Sequence, residues 1–192
     1  MTDPRTWLRT YDDFLPLPLC ASLRSHVQTS PQSHRIEQDY RRCAVGPIPP
    51  GTVLYASVVT YLRRARARYM AEVDHQSNLH HVTHLEHPSV VKYEPTTRDE
   101  FRLHADAWSA ASALRQLSLI AYLNDVDVGG ETVFPLEDAV VQPREGRLVI
   151  FPSHLGYPHA AKPPVSGPKY ALIAWLTFAP TGETPYASAP LP

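Results

Sequence analysis

Near the middle of the chain, His104-Ala105-Asp106 sets an imidazole two residues from a carboxylate. On a strand, residues two apart point to the same side, so these two groups converge on one point. A second imidazole from a neighbouring strand would give two nitrogens and one carboxylate on one face of an Fe(II) ion. That donor set leaves positions open for oxygen chemistry. With ten histidines in 192 residues, a lone His-X-Asp arises easily by chance, so the partner matters. Two later histidines qualify, His154 and His159. Lys169 follows, and Trp175 shares its face by strand parity. A lysine pointing into a closed barrel needs an anion, because an unpaired buried ammonium is costly. A dicarboxylate that chelates iron at one end would present such an anion at the other. The plain alternative is a turn lysine behind Gly167-Pro168.

A second group of metal-capable side chains comes earlier: His75, His80, His81, His84 and His87. His80 and His84 are four apart, which on a helix would place both on one face. Val82, Thr83 and Pro88 fit a helix poorly, and no carboxylate completes an HExxH pattern. The stretch reads better as a polar approach to a strand.

The elements that must position these residues fall into two kinds. Leu19, Leu23 and Val27 recur at helical spacing after a proline-rich entry. A longer helix is predicted from about Thr52 to Val73, with Leu54, Val58, Tyr61, Leu62, Ala65, Tyr69 and Val73 on one face. Its Arg63, Arg64, Arg66 and Arg68 are either a solvated face or an acid-binding surface. From Val90 the period shortens. Val90–Glu94, Leu117–Asn124, Glu131–Phe134, Arg147–Phe151 and Tyr170–Phe178 read as strands. Asp127-Val128-Gly129-Gly130 and Pro143–Gly146 read as turns. Closely spaced strands without intervening helices point to a sandwich or barrel.

Composition narrows the class further. A chain of 192 residues fits one domain and can bury about 70% of its unfolded surface, enough for a core without disulfides. Helical support is expected over about 12–75 and a β core over about 88–178, within a domain spanning 1–178. Residues 179–192 should form a flexible tail. The 43% hydrophobic and 19% charged content is that of a globular protein. A net charge of −1 gives no field for nucleic acid or acidic lipid. No apolar run reaches the ~18 residues of a membrane span, and Met1 to Arg9 lacks a signal-peptide core, so a cytoplasmic protein is expected. Cys20 and Cys43 read as free thiols.

The ordered series of motifs resembles the Fe(II)/2-oxoglutarate dioxygenases, especially the prolyl 4-hydroxylase-like branch. It runs Tyr93-Glu94-Pro95, Phe101-Arg102-Leu103-His104-Ala105-Asp106, Ala121-Tyr122-Leu123-Asn124-Asp125-Val126 and Gly129-Gly130-Glu131-Thr132-Val133-Phe134-Pro135. It continues through Pro143 to Phe151, Pro158-His159-Ala160, Pro164-Val165, Gly167-Pro168-Lys169 and Trp175. The resemblance covers roughly half the chain. It implies a mainly β fold with flanking N-terminal helices around a double-stranded β-helix, a cupin-like jelly roll. It also implies Fe(II), 2-oxoglutarate as cosubstrate and O2, with ascorbate as a reductant.

In that family the distal histidine lies about ten residues before the basic residue that holds 2-oxoglutarate, which selects His159 over His154. His104, Asp106 and His159 would then hold iron. Lys169 with Tyr122 would hold the distal carboxylate, and Tyr93 and Trp175 would stand on the cosubstrate side. The retained Asp106 speaks against halogenation, which in relatives goes with loss of this carboxylate. Two departures stand out. Thr96-Thr97-Arg98-Asp99-Glu100 replaces the usual glycine turn, and Phe101 stands where many relatives carry tyrosine.

The implied reaction hydroxylates an unactivated C–H bond while 2-oxoglutarate becomes succinate and CO2. The substrate would be an amino acid, a prolyl-containing peptide or a natural-product precursor. A peptidyl-prolyl hydroxylase acting on a protein is one alternative, and a non-catalytic jelly-roll binding module another. Arg98, Arg102 and Arg115 are the arginines suited to gripping a substrate carboxylate.

Overall fold

The computed structural model describes residues 7–73, 81–179 and 188–190. Its strands are β1 (Arg9–Tyr11), β2 (His34–Gln38), β3 (Arg41–Pro47), β4 (His84–Tyr93), β5 (Phe101–His104) and β6 (Arg115–Tyr122). They continue as β7 (Thr132–Phe134), β8 (Ala139–Val141), β9 (Leu148–Pro152), β10 (His159–Ala161), β11 (Lys169–Thr177) and β12 (Ser188–Pro190). Helix α1 (Leu17–Thr29) precedes β2, and α2 (Val53–Val73) lies between β3 and β4. Every described strand pairing is antiparallel, in the order β1-β9-β6-β11-β4-β3-β5-β10-β7-β8. This is the mainly β, jelly-roll architecture with two flanking helices that the sequence implies.

Strand parity explains why the central strands read as almost continuous apolar runs. In β11, Tyr170, Leu172, Ala174 and Leu176 join a core with Leu19 and Leu23 of α1 and Val58, Leu62 and Tyr69 of α2. The alternate residue Ala171 joins a second core with Val91, Tyr93, Tyr122, Phe134, Val149 and Phe151. β6 and β9 divide in the same way, with Leu117, Leu119, Leu148 and Ile150 toward the helices. Strands covered on both faces need apolar residues at both parities. The helices therefore brace one face, and the other encloses the interior.

Two turns bear on the interior. Gly129 and Gly130 both take the left-handed backbone conformation, with φ near 75°. A Cβ on Gly129 would lie 2.5 Å from the Pro163 carbonyl oxygen, so this close approach admits only glycine. Within the stretch expected to form a flexible tail, the described residues Ser188–Pro190 make β12, which pairs with residues 84–86 of β4. The reason lies in β3, whose pairing with β4 stops at Ser89 and leaves that edge of the preceding residues open. Among the described residues, no helix is long and apolar enough to cross a membrane.

Candidate active site

His104 ends β5 and His159 opens β10, and the ladder sets the two directly opposite each other. Asp106 lies just beyond the end of β5 rather than on it, yet it still converges with the histidines. Its carboxylate oxygens are 3.6 Å from His104 Nε2 and 3.7 Å from His159 Nε2. One donor atom from each of the three residues falls within 4.8 Å of the others. Among the described residues this is the one group of three or more metal-capable side chains so arranged.

The donors are prepared for a cation by their other contacts. His104 Nδ1 lies 2.7 Å from the Arg102 carbonyl oxygen, and His159 Nδ1 lies 3.2 Å from that of Tyr157. A carbonyl only accepts, so each Nδ1 carries the hydrogen and each Nε2 presents a lone pair. Phe101 stacks on the His104 ring at 3.4 Å, fixing its plane. Asp106 accepts a 2.6 Å hydrogen bond from the Ser118 hydroxyl, which is itself 2.8 Å from the Ser153 hydroxyl. Burial opposes ionisation of Asp106, but His104, His159 and Ser118 outweigh it and hold its carboxyl well below the usual range. Burial depresses His159 to about 4 against the pull of Asp106, so its ring is neutral at ordinary pH. Two imidazoles and one carboxylate suit Fe(II), and the fit is good.

Deeper in the barrel, Lys169 is fully enclosed and stands opposite Tyr93 in the β11–β4 ladder. Its Nζ donates to the Gly130 carbonyl at 2.9 Å and lies 4.5 Å from the centre of the Tyr93 ring. Burial lowers its pKa to about 7, against the charges of Glu131 and Cys43. One carbonyl and a ring face are a thin set of partners for a buried ammonium. Tyr122, on the adjacent β6, donates to Thr132 Oγ1 at 2.7 Å and is fully buried. Trp175 lines the same pocket as the three metal-capable side chains, and so do Tyr93 and Thr132.

Other expected residues stand apart. His154 is exposed and accepts from the Gly156 amide. His84 and His87 lie on β4, His81 is exposed, and His75 and His80 fall outside the described residues. Arg66 donates to the Val82 carbonyl and Arg68 pairs with Glu72, so the α2 arginines serve local contacts. Arg115 is held by both oxygens of Glu86 and lies 3.7 Å over Trp175. Arg102 pairs with Glu100, and Arg98 is exposed. The glycine-free turn is organised by Asp99, a buried carboxylate that accepts two bonds from Arg35 and one each from Thr97 and the Glu94 amide. Ser118, Ser153, Thr132 and Arg41 are the site neighbours that residue type and spacing did not single out.

Several solved structures share this architecture. The viral collagen prolyl hydroxylase of Paramecium bursaria Chlorella virus-1, in complex with 2-oxoglutarate, superposes with a TM-score of 0.70 at 20% identity, covering 91% of this chain and 98% of that one. A Pseudomonas putida prolyl-4-hydroxylase gives 0.72 at 20% identity over 92% and 95%. A Trichoplax adhaerens prolyl hydroxylase, in complex with a hypoxia-inducible-factor oxygen degradation domain peptide fragment, gives 0.68 at 18% over 91% and 84%. At such identities the likeness is one of fold. No curated protein matches the chain by sequence. The model of the 2OG-Fe(II) oxygenase superfamily, however, matches residues 88–177, from within β4 to the end of β11. Over that stretch, just under half of the chain, the match marks a 2-oxoglutarate-dependent dioxygenase that uses Fe(II).

Proposed function

We propose that His104, Asp106 and His159 hold the iron and that Lys169, steadied by Tyr93 and neighboured by Tyr122, holds the distal carboxylate of 2-oxoglutarate. The single observation that carries this reading is the enclosed Lys169 ammonium, set in the same barrel as a convergent His-Asp-His group. When bound, the metal and cosubstrate supply the oxidising power, with succinate and CO2 as by-products.

The protein's own part is positioning. The Nδ1 bonds orient both imidazoles, and Ser118 fixes which carboxylate oxygen of Asp106 is free. Lys169 offers one ammonium to one carboxylate, and the apolar walls from Ile120, Ala161 and Ile173 limit water in the pocket. Trp175 contributes an aromatic wall, against which a substrate ring would pack. The substrate in this reading is an amino acid, a prolyl-containing peptide or a natural-product precursor bearing an unactivated C–H bond. The prolyl hydroxylases among the structures of the same fold, one of them holding a peptide, favour a prolyl ring.

The test is an anaerobic titration of the purified chain with Fe(II) and 2-oxoglutarate, read by the weak visible absorption of the chelate. Succinate release is then measured with single amino acids and proline-containing peptides. A chelate band together with substrate-stimulated succinate supports the reading. A wild-type chain that forms no band overturns it.

A further inference from the structure

Arg41 opens β3 and stands opposite Phe101 of β5 in the ladder. Its guanidinium lies 4.8 Å from the centre of the Phe101 ring, which also stacks on His104 at 3.4 Å. Arg41, Phe101 and His104 all line the pocket that contains the metal-capable donors. Arg41 is the only lysine or arginine among the described residues lining it.

Its charge has no protein carboxylate to meet it. Among the described residues, no Asp or Glu side chain lies within ion-pair distance of Arg41, and its buried Nε has no hydrogen-bond acceptor. The nearby acids are committed elsewhere: Asp99 to Arg35, Glu100 to Arg42 and Arg102, and Asp106, whose charge reaches Arg41 only beyond ion-pair distance, to His104, His159 and Ser118. Cys43, two residues along the same strand, offers only a thiol. Arg42 and Arg63 also have an unpartnered Nε, but neither lines the pocket, and Arg42 has Glu100. Arg115, which packs over Trp175 outside the pocket lining, is paired with Glu86. A guanidinium keeps its charge at any working pH, and its planar fork matches a carboxylate in two parallel hydrogen bonds. The contact with the Phe101 ring leaves the donors of that fork unused.

We propose that Arg41 grips a carboxylate carried by the substrate, so that the enzyme acts on molecules presenting a free carboxylate beside the carbon to be hydroxylated. The proposal rests on the metal and cosubstrate assignment above and narrows its substrate class. A free amino acid and the C-terminal residue of a short peptide both carry this group. The interior residue of a protein does not.

Two sets of matched probes separate these sources. One set is the free amino acids, L-proline among them, each against its carboxamide. The other is short prolyl peptides with free or amidated C-termini. With the Fe(II)-loaded chain and 2-oxoglutarate, succinate release should be stimulated by an acid and not by its amide. Preference within the first set means a free amino acid, and within the second a peptide end. Arg41→Gln should raise the KM for the active acid at least tenfold, while Arg41→Lys recovers part of the loss. The chelate band should still form in Arg41→Gln, with the 2-oxoglutarate constant unmoved, which also shows that the variant folds. Amides that work as well as acids overturn the proposal, and so does a panel in which no acid outperforms its amide. A rise in the 2-oxoglutarate constant of Arg41→Gln overturns it by assigning the guanidinium to the cosubstrate. Absence of the band in the wild-type chain removes the underlying metal and cosubstrate reading as well.

Discussion

The two charged poles of the barrel interior are built on opposite principles. At the mouth, Asp106 is surrounded by groups that favour its charge: the Ser118 hydroxyl at 2.6 Å and two imidazoles within 4 Å. In the depth, Lys169 has one carbonyl and one aromatic face. The carboxylate is stable as it stands. The ammonium, its pKa lowered to about 7 by burial, would hold its proton more firmly once an anion arrives. On the proposed assignment, the metal-binding pole has its geometry settled by the protein, whereas the cosubstrate pole would leave part of its stabilisation to the molecule it binds.

The sharpest way to break this contrast is to remove the donors at the mouth. His104→Ala, Asp106→Ala and His159→Ala should each abolish the Fe(II)–2-oxoglutarate band and lower substrate turnover more than about a hundredfold, since loss of even a supporting contact costs 10–100-fold. His154→Ala should leave the band in place. If His154→Ala removes it and His159→Ala does not, the pole has been placed on the wrong strand.

Lys169→Met should act in two directions at once. Loss of the charged partner should cost 2-oxoglutarate about 2–5 kcal/mol of binding, a rise of tenfold or more in its apparent constant. The ligand-free protein, however, should gain roughly 1–4 kcal/mol near pH 6, because an unpaired buried charge has been replaced by an apolar chain of similar length. The sign follows from linkage. The folded pKa of about 7 lies below the ordinary 10.5, so the unfolded chain holds the proton more tightly between these values. Wild-type stability therefore rises with pH from about 7 to 10.5, and the variant should lose that slope. Affinity for 2-oxoglutarate should fall above pH 7 in the wild type alone. Glu131, Cys43 and Tyr93 surround the amine, so Glu131→Gln is the control that shifts the midpoint downward. Thermal melts and 2-oxoglutarate titrations across pH read both effects, and a flat wild-type profile would remove the distinction between the poles.

Smaller changes sharpen the picture. Ser118→Ala takes away the hydroxyl that fixes Asp106, and iron affinity should fall about tenfold, with the 2-oxoglutarate constant changed less. Metal titration by calorimetry separates the two. Tyr122→Phe should weaken 2-oxoglutarate by about 1 kcal/mol at most, a severalfold rise in its constant, because its hydroxyl already donates to Thr132. A Tyr122→Phe effect as large as that of Lys169→Met would make the deep pole a shared site.

Much of the fold was legible because the central strands carry strong apolar signals and glycine turns mark their ends. His104 and Asp106 stand out because their alternation on a strand points both groups to one side, whereas only the resemblance to the dioxygenases selects His159 over His154. Ser118, Ser153 and Thr132 carry no comparable mark: a hydroxyl residue in a strand has a dozen ordinary reasons to be there. The β2–β3 hairpin escaped notice because every residue of β2 is exposed or half-exposed, so no apolar alternation announces it. With it went Arg41, whose meeting with Phe101 spans sixty residues of chain. The reading of Arg115 as a substrate-gripping arginine changes for a related reason. Its partner Glu86 lies 29 residues away on β4, and only the paired strands reveal that its charge is taken.

The cross-strand pairing of His104 with His159 has a consequence for assembly. β5 and β10 have only four and three residues, and β10 joins β5 to β7 near one end of the sheet. Strands so short are held by few ladder bonds and should open early in hydrogen exchange. An ion bound by one residue from each strand and by Asp106 beside them would act as a rivet between them. A one-residue slip turns every side chain of a strand to the other face, so a misregistered chain could not be riveted. Metal uptake on the proposed ligands would then work as an inspection step, locking only those molecules whose weakest seam has closed in the correct register.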